Sequence, residues 1–481
     1  MSGLNFLSFA GLFILCGIAW LGSEQKRKMP WGVILWGIAL QLALGLAVFR
    51  FPVTREFFRV LSSNVNAVLD ATEAGARFVF GDLLVPNSAI NPGPVAAGRW
   101  LARALTPAYV PVAGDRLSPE NLNLGYILAF RALPSVIFFS ALMTLLYHLK
   151  VIQPIVNIFA KVFQKLMGLS GAEALSGAAN IFVGIESALV IRPFLADMTR
   201  SELCAILASC YGSIASTVLA LYAALLRPAF PNIVGHLVSA SFMAIPACFV
   251  MAKILVPETE TPKTLGGIPK EPEGSEESSQ TVATVQSMNA MEAVITGSWD
   301  GVKLAVSIAA LLIAVLGLVA LVNLFFGNLA ALAESTNPNL ARVGSAFKIV
   351  TVQNILGALF VPLVAVTGVS DQWSEIWQAS VLVGRRLFET EIPSYLELAT
   401  LSQQGVLRDR ALVMTSYMLC GFAHLPSVGI FVGGFVSLIP GRRKDLTEIG
   451  WKALWAATLA TLMIGCVAGV FFSGDATIVG R

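Results

Sequence analysis

The sequence predicts an all-α polytopic membrane protein with about eight transmembrane helices, two re-entrant hairpins in inverted repeats, and interfacial helices. Three observations predict it. The 481 residues are 56% apolar and 13% charged, with a mean hydropathy of +0.75, whereas a soluble domain carries about one quarter charged residues. Eight windows, near 4–22, 31–51, 126–147, 203–226, 235–255, 302–326, 411–438 and 450–472, are long and apolar enough to cross the hydrocarbon as helices. Two further apolar segments are interrupted near their middles, and each is followed by two of those windows.

Taken in order, Leu4 to Leu21 reads as a retained first span, because Lys26, Arg27 and Lys28 follow the apolar run rather than precede it. Residues 1–60 hold the N-terminal helices. Residues 61–125 begin with an amphipathic stretch around 67–84 and continue as a Pro-rich external loop. Residues 126–256 form a first half with a hairpin at 172–198. Residues 257–290 carry six glutamates, two lysines and no apolar run, which reads as a flexible cytoplasmic linker. Residues 291–481 form a second half with a hairpin at 372–400 and a polar loop at 327–348. The clusters Lys26-Arg27-Lys28, Lys150 with Lys161 and Lys165, and Arg442-Arg443-Lys444 share the inner side if the N-terminus is outside. Arg385, Arg386, Arg408 and Arg410 then lie outside, against the positive-inside rule.

Each half reads as broken hairpin, span, span, and parity inverts one half relative to the other. Discontinuous helices at matched positions of an inverted repeat point to a transporter's midplane site. A net charge of +3 argues against nucleic acid as a partner. Six cysteines without a C-x-x-C pair read as small buried hydrophobes. Three histidines without an H-E-x-x-H pattern argue against a metal enzyme. No nucleophile–base pairing appears, so an enzyme is not expected.

Two carboxylates carry the expected chemistry. Glu186 sits in NIFVGIESALVIRP of the first hairpin and Glu391 in ETEIPSYLEL of the second. A carboxylate at membrane depth costs about 2.5–3.5 kcal/mol even on the lenient insertion scale. Both are therefore read as facing a wet cavity, where they accept hydrogen bonds from solute hydroxyls or N–H groups, or help bind a cation. A shallow hairpin with a solvated glutamate is the bland alternative. Ser213, Ser216 and Thr217 lie in YGSIASTVLALY, where small hydroxyl residues also serve helix packing. Cys420 to Phe435 reads CGFAHLPSVGIFVGGF, and its Pro426 and glycines break the span there. Broken helix at depth must line a cavity or be buried in protein. His424 beside the break is read as a binding residue, with helix packing as the alternative.

From residue 126 to 470 the chain resembles the concentrative nucleoside transporter family. The resemblance is carried by FRALPSVIFFSALMTLLYHL, GAEALSGAANIFVG, ES-x-L-x-IRP followed by MT-x-SEL, the E-x-x-x-YLEL block, and LCGFAHLPSVGI. It implies a homotrimer in the cell inner membrane, with membrane lipid around it. Each subunit would hold its own site and move a transport domain as an elevator, carrying a nucleoside together with sodium or a proton. It implies solute contacts at Glu186, Val218, Glu391, Phe422, His424 and Ser427, with Val218 beside the base and Glu391 on the ribose. It implies sodium at Asn180, Val183, Ser213 and Ile214.

Three departures bear on selectivity. The first hairpin reads Val183-Gly184-Ile185-Glu186, one residue short and without the family's Gln-Thr, so its tip is reshaped on the base-reading side. His424 stands where asparagine is usual, and histidine, unlike asparagine, changes charge with pH. Thr390 replaces the asparagine that usually precedes the second glutamate. The expected function is cation-coupled import of nucleosides or closely related ribosyl compounds. The alternatives are a proton-coupled transporter of a non-standard nucleoside-like solute, or a non-transporting membrane nucleoside sensor.

Overall fold

The structure, a computed structural model, describes residues 3–50, 60, 70–81, 84, 85, 127–182, 184, 187–214, 216–227, 229–267 and 289–474. Two N-terminal helices come first, α1 (Gly3–Leu21) and α2 (Trp31–Arg50). Residues 70–80 are also helical, within the stretch expected to be amphipathic. Most of the external loop at 83–125 lies outside the described residues. The next pair, α3 (Leu128–His148) and α4 (Ile152–Met167), is bent by 80°. In α4, Ile152, Val156, Phe163 and Met167 are buried along one face while Lys161 and Lys165 are exposed. That amphipathic stripe makes α4 a helix for the membrane interface.

The first hairpin comprises α5 (Gly171–Asn180), α6 (Ser187–Val190) and α7 (Arg192–Leu195). A reciprocal capping box starts α5: Glu173 N donates to Ser170 Oγ, and Ser170 N donates back to Glu173. Thr199 and Glu202 form a second box, which starts α8 (Arg200–Gly212). The window at 203–226 is not one span. It breaks after Gly212 and resumes as α9 (Ser216–Leu226). Then α10 (Ile233–Leu255) crosses without a break despite Pro246. Lys253 near its end pairs with Glu173 at 2.5 Å and Glu258 at 3.3 Å, which gives the buried ammonium two partners.

Part of the expected flexible linker is fixed. The Thr264 carbonyl accepts from Gly171 N at 2.8 Å, and Thr264 Oγ1 accepts from Ala172 N at 3.2 Å. Residues 257–267 are therefore fastened to the start of the first hairpin. Residues 268–288 lie outside the described residues.

The second half opens with α11 (Ala290–Ala331), whose 42 residues make about 63 Å at 1.5 Å per residue. That is about twice a bilayer core. Gly297 and Gly301, four apart, let α11 lie directly on α3. A Cβ at Gly301 would come within 2.6 Å of Ile137, and one at Gly297 within 2.8 Å of Ala141. The polar loop expected at 327–348 is instead helical. A 3-10 turn covers Leu332–Glu334, and α12 (Pro338–Phe347) follows, capped by Asn337. Its polar residues face outward on a short interfacial helix, so polarity there did not mean loop. An unforeseen helix, α13 (Val352–Ala365), starts at the cap Thr351 and packs on the second hairpin.

That hairpin is α14 (Trp373–Glu389) and α15 (Glu391–Gln403), joined at Thr390. The window at 411–438 breaks as expected, into α16 (Asp409–Met418) and α17 (Leu425–Leu438). The chain closes with α18 (Arg443–Phe471), buried over most of its length among α1, α8, α10 and α16. Among the described residues, five helices are continuous and apolar enough to span: α1, α2, α10, α11 and α18. Of the eight expected windows, one is an arm of the bent α3–α4 pair and two are broken spans. Arg385 and Arg386, counted as outside charges in the sequence reading, are half-buried and buried on the hairpin. They do not report on loop orientation, because a charge packed inside protein plays no part in the loop bias.

Candidate solute site at the two helix breaks

The two breaks meet backbone to backbone. Gly421, in the break between α16 and α17, has φ of +136°. A Cβ there would stand 2.7 Å from the Gly212 carbonyl oxygen, at the end of α8. Both requirements select glycine. The half-helix ends of both repeats therefore converge, and each hairpin brings its own residues to them.

On the second-half side, Glu391 begins α15 and is buried. The N-terminal end of a helix favours negative charge there. Tyr222 of α9 donates a hydrogen bond to Glu391 Oε1, and His424 Nε2 lies 2.9 Å from Oε2. His424 is also the N-cap of α17, with Nδ1 accepting from the Ser427 N–H at 3.2 Å. An Nδ1 that accepts leaves Nε2, the nitrogen facing Glu391, free to donate. The ring thus presents one acceptor and one donor, the same pair an asparagine amide offers. Ser427 Oγ lies 3.0 Å from Nδ1. Phe422 stands edge-on to the His424 ring, at 90° and 6.2 Å. Val218 is buried one turn before Tyr222 on α9 and shares its face.

On the first-half side, Asn180 is buried with both ends of its amide engaged. Nδ2 donates to Ser209 Oγ at 2.8 Å, and Oδ1 accepts from Ser187 Oγ at 2.8 Å. Ser213 is the C-cap of α8, where its N–H donates to the Ser209 carbonyl at 3.1 Å, and Ile214 follows it, buried. The interruption deprives carbonyls of the last turn of their intrahelical donors. Asn180, Ser213 and Ile214 thus gather at the end of α8. Glu186 and Val183 lie outside the described residues.

Three side chains at the site were not anticipated. Tyr222 follows Val218 by four, and Tyr395 follows Glu391 by four, so helical spacing could have found both. Their rings stack at 4.7 Å, and Tyr395 OH donates to the Ser416 carbonyl at 3.0 Å. Arg386, which the sequence places among the outer charges, is instead buried. Its Nη1 donates to the Met418 carbonyl at 2.5 Å.

Comparison with known proteins places the chain in a family. Residues 236–469 match the family profile described as Na+ dependent nucleoside transporter C-terminus. Residues 10–83 match its N-terminus counterpart, and residues 129–229 a profile described as nucleoside recognition. The nucleoside permease NupC of Helicobacter pylori is 30% identical over 476 residues, 98% of this chain and 99% of the relative. The chain belongs to the concentrative nucleoside transporter family. Another relative, an uncharacterized transporter of Haemophilus influenzae, is 32% identical over 96% of this chain and 97% of its own length. Among solved structures, CNTnw in an inward-facing substrate-bound state superposes with a TM-score of 0.77 at 30% identity, covering 97% of this chain and 98% of that one. This concentrative nucleoside transporter homologue is therefore a multi-pass membrane protein of a transporter family rather than an enzyme.

Proposed function

We propose that the chain imports nucleosides, or closely related ribosyl compounds, by cation symport with elevator-type alternating access. One observation carries the reading: the Glu391 carboxylate is buried at the start of α15, 2.9 Å from His424 Nε2 at the break of the same half. A buried carboxylate hydrogen-bonded to a phenol and in contact with an imidazole exchanges those partners for paired hydroxyls at small cost, and a ribose supplies such hydroxyls. Ser427 and His424 add donors and acceptors on the same side. Val218 and Phe422 offer apolar surface to a base, and Glu186 acts from the first hairpin. Sodium is the favoured coupling ion, held by Asn180, Val183, Ser213 and Ile214. Asn180 releases Ser187 when the ion binds, which leaves its Oδ1 as a ligand. The hairpins and broken spans move together past α3 and α11. The exposed apolar face of α11, with Ile313, Leu318, Leu321 and Phe325, serves contact with other subunits of a homotrimer or with lipid.

The test is uptake of labelled uridine and adenosine into vesicles. Glu391→Gln is expected to remove nearly all uptake while the protein still reaches the membrane. Uptake by that variant at the parent rate would sink the ribose role. A second reading, proton coupling, is favoured by the His424–Glu391 contact. Replacing sodium with choline at fixed pH separates the two, because proton coupling ignores the swap and collapses with an uncoupler. Binding without counterflow exchange in proteoliposomes would point instead to a sensor.

A further inference from the structure

The Glu391 carboxylate is held unequally at its two oxygens. Oε1 accepts a hydrogen bond from the Tyr222 hydroxyl. Oε2 accepts none among the described residues, although His424 Nε2 lies 2.9 Å from it. Both oxygens belong to a side chain that is 3% exposed. A buried acceptor left without a donor is costly, so each oxygen favours a solute that brings one.

The donor on Oε1 comes from the other half of the molecule. Tyr222 lies on α9, one turn after Val218, and its hydroxyl crosses to the start of α15. The ring is fully buried and stacks on Tyr395, with centroids 4.7 Å apart and planes at 25°. Tyr395 shares α15 with Glu391, four residues further on. Its own hydroxyl is engaged by the Ser416 carbonyl at 3.0 Å. The stack therefore fixes the Tyr222 ring, and of the two phenols only that of Tyr222 serves the carboxylate.

A carboxylate oxygen can accept two hydrogen bonds. A solute hydroxyl that reaches Oε1 thus joins the phenol or takes its place. When a solute lacks that hydroxyl, the phenol still covers Oε1. At Oε2 no bonded protein donor stands ready in the same way. The two hydroxyls of a vicinal diol are accordingly worth different amounts at this carboxylate.

We propose that Tyr222 is a specificity-determining residue whose phenol stands in for a solute hydroxyl at Glu391 Oε1, so that a sugar lacking the hydroxyl on that side still leaves no bare oxygen. Without this phenol, the site would demand both hydroxyls. The proposal rests on the reading of Glu391 as the solute-binding carboxylate.

The test titrates uridine, 2′-deoxyuridine and 3′-deoxyuridine against the full-length protein purified in detergent. In the parent the two deoxy compounds are expected to differ. The one lacking the Oε1 hydroxyl should bind within about fivefold of uridine, and the other more weakly than that. Tyr222→Phe keeps the ring and removes only the donor. It is expected to raise the preference for uridine over the tolerated deoxy compound by about fivefold or more, because Oε1 is then bare in that complex alone. A merely structural role would weaken all three solutes together and leave their ratios alone. Parent-like ratios in Tyr222→Phe overturn the proposal. Equal losses for the two deoxy compounds in the parent also overturn it, and that measurement needs no variant to fold. Glu391→Gln is titrated alongside. Parent-like uridine binding by that variant overturns the solute-site reading itself, whereas its loss beside unaltered ratios in Tyr222→Phe overturns only the role of the phenol.

Discussion

Thr390 holds φ of +74° at the turn of the second hairpin, immediately before Glu391. A β-branched residue there is strained, by on the order of 1–3 kcal/mol, whereas asparagine enters positive φ several-fold more readily. Thr390→Asn is therefore expected to raise the melting temperature of the purified protein by a few degrees, read by a thermal shift. An unchanged or lower midpoint would mean the turn is not strained by the threonine. His424 is the second departure that the geometry explains. Its two ring nitrogens reproduce an amide's donor and acceptor, so His424→Asn is expected to keep uptake within about tenfold of the parent. If His424 also carries the coupling proton, that variant loses the pH dependence of uptake. Both substitutions were visible in the sequence as departures. Only the local geometry says that one strains the backbone and the other mimics what it replaced.

At the scale of elements, the decisive contact is the crossing of two helix breaks at Gly212 and Gly421. Gly421→Ala is expected to do more than strain one residue. Its methyl would push against the Gly212 carbonyl and part the repeats, so both binding and thermal stability should fall together. A variant with parent-like uptake and melting would show that the breaks do not need this approach. The contact of α11 with α3 depends on small residues in the same way. Gly301→Leu should lower the midpoint by several degrees without shifting the affinity of protein that remains folded, because Gly301 lies away from the breaks. The breaks were partly legible. Pro426 and the glycines around it announced the second one, whereas YGSIAST was read as a continuous span because hydroxyl and small residues sit comfortably in a membrane helix. The starts of α5 and α8 were written as S-x-x-E and T-x-x-E, and capping boxes read from them would have placed both helix starts.

For the whole molecule, long-range ties join segments that hydropathy treats as independent. Arg410 donates to the Leu4, Gly368 and Gly469 carbonyls, to Asn5 Oδ1 and to Ser8 Oγ. It pins α1 into the second half. Hydrogen bonds to a charged group contribute about 1.5–3 kcal/mol, so Arg410→Met should cost at least about 2 kcal/mol of stability, read as a lower midpoint with α1 more open to proteolysis. At the opposite end of α1, Glu24 is bonded by Lys452 at 2.6 Å and Arg200 at 3.1 Å. Burial pushes the Glu24 carboxyl up, but these hydrogen bonds outweigh it and hold it below the usual range. A lowered value means stability that is present above the unfolded value of about 4.3 and is lost as pH falls through the folded one. Acidification below about pH 4 should thus lower the midpoint of the parent more than that of Glu24→Gln. Equal slopes would remove the effect.

By itself, the sequence determined that the chain lives in a bilayer and that its halves repeat a hairpin and two spans in opposite senses, and it singled out Glu391 and His424 as candidate site residues. Apolar length, breakers and isolated charges are local properties, and lipid offers few ways to satisfy them. Tertiary structure alone decided that Arg386 and Arg385 are interior rather than loop charges, that Tyr222 closes on Glu391, and that 327–348 folds as helix. Each of these depends on a partner tens or hundreds of residues away, or on a surface that polarity cannot distinguish from a loop.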